Sequence, residues 1–295
     1  MNAVPARELS DLQRPSGGFA MLAIDQREAM RAMFSEHMAE SETASDELVS
    51  DFKVSAARVL TPLASAVLVD RQFALARFLS EPIVDPACAI IAAADEFIPG
   101  PGEFVADVQI DRNLDLKSLR VQGVKALKLL VIHRPDGDRQ ATIDMVQEFT
   151  ELCRENGLIS IIEPVAKAPR DGRDWNWQRE VVIAAEYLGH LGAQLYKSEV
   201  PLHGVGADEE LLSACHDLHD RISSPWVVLS SGVDADLFPR AVSIACEAGA
   251  SGFLAGRAVW RNCIAPSGYA TCLETSAVNR LRLLGETVDA ALARR

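Results

Sequence analysis

Eight short, almost continuously apolar segments recur along the chain, and longer amphipathic segments separate most of them. Each apolar segment has the length of a strand, and such apolarity is typical of strands buried on both faces. The intervening segments carry apolar residues at helical spacing, so the pattern predicts repeated strand–helix units and a parallel sheet. The predicted strands are 19–25, 65–70, 88–95, 126–132, 158–164, 193–200, 226–231 and 252–256.

Eight such units in an undivided chain of 295 residues favour one closed architecture over an open, doubly wound sheet. We predict an α/β fold, a single (β/α)8 TIM barrel over residues 1–295, with residues 1–16 as an N-terminal extension. One helix is expected to stop at Gly157. The segment 95–125 is rich in loop-forming residues, its helix is hard to place, and its G-P-G-E stretch reads as a turn rather than a dinucleotide fingerprint.

Composition excludes several classes of protein. The formal net charge of −13 argues against a nucleic-acid surface, although a few local cations still allow anionic small molecules to bind. Six cysteines without a C-x-x-C pair predict reduced thiols rather than a disulfide framework. Neither a signal peptide nor a membrane-spanning run is evident, so we expect a cytoplasmic protein without a membrane partner.

Polar residues end or interrupt most of the predicted strands, and in a barrel the carboxyl ends of the strands carry function. Lys197 lies inside an apolar strand, where crowding by Lys128 and burial would lower its pKa and leave a nucleophilic amine. Glu163 could carry protons as acid and base. Two structural ion pairs are the alternative reading. The polar strand-end residues are Asp25, Asp70, Asp95, Lys128, Glu163, Lys197, Ser230 and Ser231.

The last two predicted strands each run through a glycine turn toward a helix. Such turns present backbone N–H groups to an anion, and many barrels bind phosphate at this place. Arg257 follows Gly256 and could add a bidentate contact. The alternative is that the glycines serve only tight turns. The predicted phosphate residues are Ser230, Ser231, Gly232, Gly256 and Arg257.

Histidines give no indication of a metal centre. His216 and His219 lie on the flank of a predicted helix, away from the strand ends, and His203 shows no zinc-ligand spacing with them. We therefore expect neither a metal nor a cofactor.

The chain resembles the class I sulfofructosephosphate aldolases of bacterial sulfoglycolysis, which are related to tagatose-1,6-bisphosphate aldolases. The resemblance runs from about residue 17 to about residue 260 and follows the order and spacing of the motifs. These motifs are GGFAMLAIDQREAMR, DFKVSAAR, ADEFIPG, KALKLLV, SIIEPV, LYKSEVP, SSGVD, LFPRAV and AGASGFLAGRAVW.

This resemblance implies a lyase that cleaves 6-deoxy-6-sulfofructose 1-phosphate into dihydroxyacetone phosphate (DHAP) and 3-sulfolactaldehyde. It assigns the Schiff-base lysine to Lys197 and matches Asp25, Lys128 and Glu163 to the other catalytic positions. It also places phosphate on the two glycine turns. Such barrels commonly associate, so we expect a homo-oligomer.

The sequence offers several candidates for the residues that distinguish a sulfonate from a phosphate. A sulfonate carries one negative charge, so its site is expected to hold few full cations. The candidates near strand ends are Gln26, Arg27, Lys53, Gln72, His133 and Arg134. Tagatose-1,6-bisphosphate aldolase, a metal-dependent aldolase and a non-catalytic sugar-phosphate sensor remain as alternatives.

Overall fold

The computed structural model describes residues 8–295, and eight of its strands close into a parallel barrel in the order β1-β10-β9-β8-β7-β6-β3-β2. All eight predicted strands occur, so the predicted (β/α)8 barrel is confirmed. The strands of the described residues are β1 (Phe19–Ala23), β2 (Ala66–Val69), β3 (Ala89–Ala93), β4 (Asp95–Gly100), β5 (Glu103–Ile110), β6 (Ala126–His133), β7 (Ile159–Ala166), β8 (Leu195–Ser198), β9 (Trp226–Val228) and β10 (Gly252–Ala255).

Helices cover the outside of the barrel and join its strands. The α-helices are α1 (Glu28–Ser35), α2 (Asp46–Leu60), α3 (Ala76–Ser80), α4 (Leu116–Val121), α5 (Arg139–Asn156), α6 (Trp177–Leu188), α7 (Asp208–His219), α8 (Phe238–Glu247), α9 (Arg257–Trp260), α10 (Tyr269–Cys272) and α11 (Val278–Leu292). Short 3-10 turns span Leu9–Leu12, Thr61–Leu63, Pro201–Gly204 and Arg261–Cys263, and π-helical turns span Arg71–Leu75 and Leu273–Ala277. Helix α5 ends at Gly157 in the left-handed conformation (φ 61°), as predicted.

The strands bury both faces, which is why their sequences are almost continuously apolar. In β1, Phe19 and Met21 point into the barrel, whereas Ala20 and Leu22 pack outward against the helices. Leu12 of the N-terminal segment joins the interior cluster. Alternate residues of one strand therefore serve two separate apolar layers, and no polar face is needed except where a strand ends.

The segment 95–125, which the sequence left unplaced, folds largely as an antiparallel hairpin of β4 and β5, followed by α4. Between its strands lie Pro101 and Gly102, and the positive φ of Gly102 (73°) suits a tight turn. The hairpin directly follows β3 at the carboxyl end of the barrel and contacts β6, so it forms a wall above these two strands.

One cysteine prediction is wrong. Cys263 and Cys272 are joined by a disulfide, with their Cα atoms 5.2 Å apart, whereas the sequence predicted that all six cysteines are reduced. The other four are free and buried, and burial raises the pKa of each thiol. The two bonded residues are nine positions apart along the chain, and this spacing alone does not indicate a disulfide.

Residues 8–16 and the C-terminal helix α11 meet at the amino end of the barrel. Arg14 donates to Asp289 of α11 at 2.7 Å, and Ser16 donates to the same carboxylate at 2.6 Å. The part of the predicted extension that the structure describes is therefore tied down, and residues 1–7 lie outside the described residues. No helix among residues 8–295 has the length and apolarity needed to cross a membrane.

Candidate active site

A buried ion pair joins β8 to β7 at the carboxyl end of the barrel. Lys197 is the third residue of β8, its side chain is only 4% exposed, and its Nζ lies 2.8 Å from Oε1 of Glu163. The other carboxylate oxygen, Oε2, lies 3.2 Å from Nζ of Lys128 on β6. The structure thus brings together the two lysines and the glutamate that the sequence proposed from three separate strands.

Lys128 is the centre of a larger cluster. Its Nζ lies 2.7 Å from Asp25 and 2.7 Å from Asp95, in addition to the contact with Glu163. Burial alone would lower the pKa of Lys128, but the three carboxylates outweigh it and raise that pKa, so Lys128 is held as a cation. Burial would likewise raise the pKa of Asp25, yet Lys128 and Lys197 lower it below its usual range.

Arg27 completes the charge balance of this cluster. Its Nη2 donates to Asp95 at 2.7 Å, and its guanidinium lies 3.9 Å above the ring of Phe97. Three cationic side chains therefore face three carboxylates, of which Asp25 and Asp95 are buried and Glu163 is 12% exposed. Such a network stays together at neutral pH because removing any one member would leave an uncompensated charge in a water-poor interior.

These groups open into a cavity of about 530 Å³ between the barrel and the β4–β5 hairpin. The predicted binding residues Gln26 and Arg27 line it, and each has a buried atom without a partner among the described residues, Oε1 of Gln26 and Nε of Arg27. Buried polar atoms normally have partners, so these two are available to a bound molecule. The polar and charged lining consists of Asp25, Gln26, Arg27, Glu28, Glu103, Lys128, Glu163, Lys167, Ser231 and Arg257.

Arg257 marks the opposite edge of this cavity and also lines a second cavity, of about 650 Å³, behind it. Burial lowers the pKa of Arg257, and within residues 8–295 its guanidinium forms no ion pair. The second cavity is bordered by the predicted residues Ser230 and Gly232. A half-buried guanidinium that forms no ion pair within residues 8–295 and lies beside a glycine turn is suited to an oxyanion.

The two predicted glycines have different local reasons. Gly232 has a φ of 75°, and a Cβ there would meet the ring of His203 at 2.7 Å. Gly256 has ordinary φ, but a Cβ would lie 2.1 Å from the carbonyl oxygen of Ala23. Gly256 is thus needed for the close approach of β10 to β1, and whether its N–H also meets a ligand stays a prediction.

Several sequence candidates lie away from the cavity. Lys53 is fully buried on α2, where it forms an ion pair with Asp70, so its amine is occupied. Gln72 is exposed on a π-helical turn. His133 is the last residue of β6, and its ring is hydrogen-bonded to Glu180 at 2.8 Å and to Tyr187 at 3.0 Å, both on α6.

The histidines considered for metal binding are also dispersed. His203 stacks on Trp177 with 3.6 Å between ring centroids, and His219 accepts a hydrogen bond from Trp226. No group of three or more His, Cys, Asp or Glu side chains in the described part of the chain is placed to hold a metal ion.

Glu199 is visible in the sequence two residues after Lys197, but the sequence assigns it no firm role, and the remaining cations that line the two cavities were not predicted. Glu199 is buried two residues after Lys197 and accepts from the N–H of Ala166 at 2.8 Å and from Trp177 at 3.4 Å. Its period-two spacing from Lys197 was visible, but its partners come from distant segments. Lys167, Arg261 and Arg280 line the two cavities and lie beyond the strand ends, where sequence alone gave no signal.

The fold and the site together define a (β/α)8 barrel in which an apolar strand places Lys197 against Glu163, a residue that lines a cavity with Arg257 at its edge. Residues 19–262 match the DeoC/LacD family aldolases, and the chain belongs to that family. It is accordingly an aldolase, an enzyme of the lyase class.

Curated relatives are similar to the chain over most of its length. Tagatose 1,6-diphosphate aldolase 2 of Streptococcus mutans is 25% identical over 282 residues, which covers 85% of this chain and 82% of the relative. Tagatose 1,6-diphosphate aldolase 1 of Enterococcus faecalis is 24% identical over 285 residues, covering 88% and 85%.

Solved structures of aldolases share the fold. A Schiff-base-forming fructose-1,6-bisphosphate aldolase superposes with a TM-score of 0.63 at 16% identity, covering 95% of this chain and 98% of the other. The fructose-bisphosphate aldolase of Slackia heliotrinireducens gives a TM-score of 0.66 at 16% identity, covering 96% and 92%.

Proposed function

We propose that the protein is a class I aldolase that cleaves a ketose 1-phosphate through a Schiff base on Lys197. The observation that carries this proposal is the 2.8 Å contact between Lys197 and Glu163, whose side chain lines the cavity. A nucleophilic amine and a proton carrier within hydrogen-bond reach are what imine formation needs. Lys128 is tied to three carboxylates and is therefore less suited to be the nucleophile.

The reaction follows from this arrangement. The amine of Lys197 attacks the C2 ketone, and Glu163 supplies and removes the protons needed to lose water and form the iminium. A carboxylate, Glu163 or Asp25, takes the proton of the C4 hydroxyl, and the C3–C4 bond breaks with its electron pair moving to the iminium. The aldehyde leaves, C3 of the enamine is protonated, and water hydrolyses the imine to release DHAP.

Arg257 and the two glycine turns are proposed to bind the phosphate on C1. Phosphate carries nearly two negative charges at neutral pH, and the unpaired guanidinium of Arg257 can offset part of them. Ser231 lines the catalytic cavity beside Arg257, whereas Ser230 and Gly232 face the cavity behind it.

For the substrate we propose 6-deoxy-6-sulfofructose 1-phosphate, with 3-sulfolactaldehyde as the second product of sulfoquinovose degradation. The motif resemblance supports it, and so does the charge pattern, since the cations away from Arg257 are already ion-paired. Tagatose 1,6-bisphosphate is the second candidate, because the curated relatives named above are tagatose 1,6-diphosphate aldolases. We further propose that the enzyme uses no metal or other cofactor and acts as a cytoplasmic homo-oligomer.

Trapping with borohydride tests the Schiff base. Incubation with DHAP and borohydride is expected to add one reduced DHAP unit to the peptide that contains Lys197, detected by mass spectrometry. Lys197→Ala should show neither adduct nor turnover, whereas Lys125→Ala, altered at a surface lysine paired with Asp11, should behave as wild type. Full activity in Lys197→Ala would refute the mechanism. A separate comparison of kcat/KM for the sulfonated and the bisphosphorylated ketose on the wild-type protein decides the substrate.

A further inference from the structure

The catalytic cavity has two ends on opposite sides of the barrel. Arg257 follows β10, and the far end is formed by the start of β5 and by Lys167, which follows β7. In the barrel order, β10 is four strands from β6 in either direction, and the hairpin stands above β6. A ketose with its C1 phosphate at Arg257 and its C2 at Lys197 therefore extends its C6 end toward the hairpin.

Two cations line the cavity beside the hairpin, Arg27, whose charge is paired with Asp95, and Lys167. Lys167 donates to Glu103 at 3.2 Å and to the carbonyl of Val105, which uses two of its three N–H groups. Its backbone is fixed by a bond from its own N–H to the carbonyl of His133. One N–H of Lys167 remains for a bound group, and its side chain is 25% exposed.

Glu103 is shared between two cations. Its Oε2 lies 3.2 Å from Lys167 and 2.6 Å from Arg134, which lies behind the cavity wall. Burial would raise the pKa of Glu103, but these two partners lower it, so the carboxylate is charged. Apolar side chains of the hairpin and of β6 line the same cavity, namely Phe97, Phe104, Val105, Leu130 and Ile132.

The trio of Lys167, Arg134 and Glu103 carries a formal charge of +1. One bound sulfonate would bring it to zero, whereas a phosphate dianion would leave an excess negative charge next to apolar walls. Lys167 and Glu103 therefore favour a singly charged oxyanion. Neither residue was among the sequence candidates for the sulfonate, because they lie after β7 and at the turn of a hairpin that the sequence did not reveal.

We propose that Lys167 binds the oxyanion at C6 of the substrate and that Glu103 makes this subsite select one negative charge over two. The proposal rests on the class I cleavage proposed above and goes beyond it in naming the residues that read the far end. Glu103 acts as a specificity-determining residue by reducing the positive charge of Lys167 and Arg134.

Three substrates and two variants test it. The substrates are ketose 1-phosphates with a sulfonate, a phosphate or a hydroxyl at C6. In Lys167→Met, kcat/KM should fall about tenfold more for the two anionic substrates than for the hydroxyl substrate. In Glu103→Gln, the ratio of kcat/KM for sulfonate over phosphate should fall about tenfold, because the trio then carries two positive charges. Arg154→Met, altered on the exposed face of α5, serves as the control.

Equal losses on all three substrates in Lys167→Met, or an unchanged ratio in Glu103→Gln, would overturn the proposal. Calorimetry with 3-sulfolactate gives a readout that needs no cleavage. Its affinity should fall about tenfold in Lys167→Met and not in Lys197→Ala. If borohydride trapping fails and Lys167→Met loses affinity for 3-sulfolactate, the Schiff base is refuted and the subsite is still supported. If trapping succeeds and Lys167→Met keeps the wild-type affinity, the Schiff base is supported and the subsite is refuted.

Discussion

Glu163 holds Lys197 through one oxygen, at 2.8 Å, and gives its other oxygen to a lysine of the neighbouring strand. The proton carrier of the proposed reaction is thereby fixed on two sides. A carboxylate with two cationic partners has little freedom to rotate away, so proton transfer needs no rearrangement of the site.

Replacing Glu163 by Gln should slow turnover by about 10²–10⁴-fold, because the amide keeps the shape but cannot accept and release a proton. The DHAP adduct on Lys197 should still form after long incubation, since the nucleophile remains. Stopped-flow kinetics and timed borohydride trapping measure the two steps. Glu151→Gln, an exposed residue that contacts only Arg154, is the matched control. Wild-type turnover in Glu163→Gln would exclude it as the proton carrier.

Replacing Lys128 by Met should destabilise the fold by about 3–5 kcal/mol at pH 7, because Asp25, Asp95 and Glu163 would lose their shared cation. Urea unfolding measures the loss. Adding Asp95→Asn to Lys128→Met should recover part of it by removing one of the carboxylates. If the double variant is no more stable than the single one, charge repulsion is not the cause.

Replacing Arg257 by Met should weaken DHAP binding by about 10–100-fold, because a buried charge-assisted contact to phosphate is lost. Equilibrium titration with DHAP measures it in the Lys197→Ala background, where no imine can form. Arg282→Met, altered at an exposed residue of α11 that is hydrogen-bonded to Asn279, should bind as its parent does. Unchanged affinity in Arg257→Met would move the phosphate site away from the last glycine turn.

Much of the catalytic site could be predicted because its residues interrupt apolar strands, where a lysine or carboxylate is costly unless it is used. Lys197, Glu163 and Lys128 are of this kind, and the barrel brings their strands together. The far end could not be predicted in the same way. Glu103 and Lys167 lie in polar segments, where a charged residue is unremarkable, and only the hairpin places them together. Lys53 was a candidate because it is cationic, but it forms a buried ion pair with Asp70, the residue directly after β2. The sequence did not reveal this partner.

Glu199 provides a test by pH, since burial raises its pKa to about 7 despite the hydrogen bond from Ala166. In the unfolded chain a glutamate titrates near about 4.3. Between these two values the folded protein holds a proton that the unfolded chain has released, so the contribution of Glu199 to stability falls as pH rises through this window and stays low above about 7.

Glu199→Gln should remove that part of the pH dependence, leaving the variant more stable than wild type above pH 7 by up to about 3 kcal/mol. Gln keeps an acceptor for the N–H of Ala166, so the local structure is retained. Urea unfolding from pH 4.5 to 8 measures the difference between the two proteins, with Glu151→Gln expected to follow wild type throughout. A constant difference across this range would show that Glu199 does not titrate there.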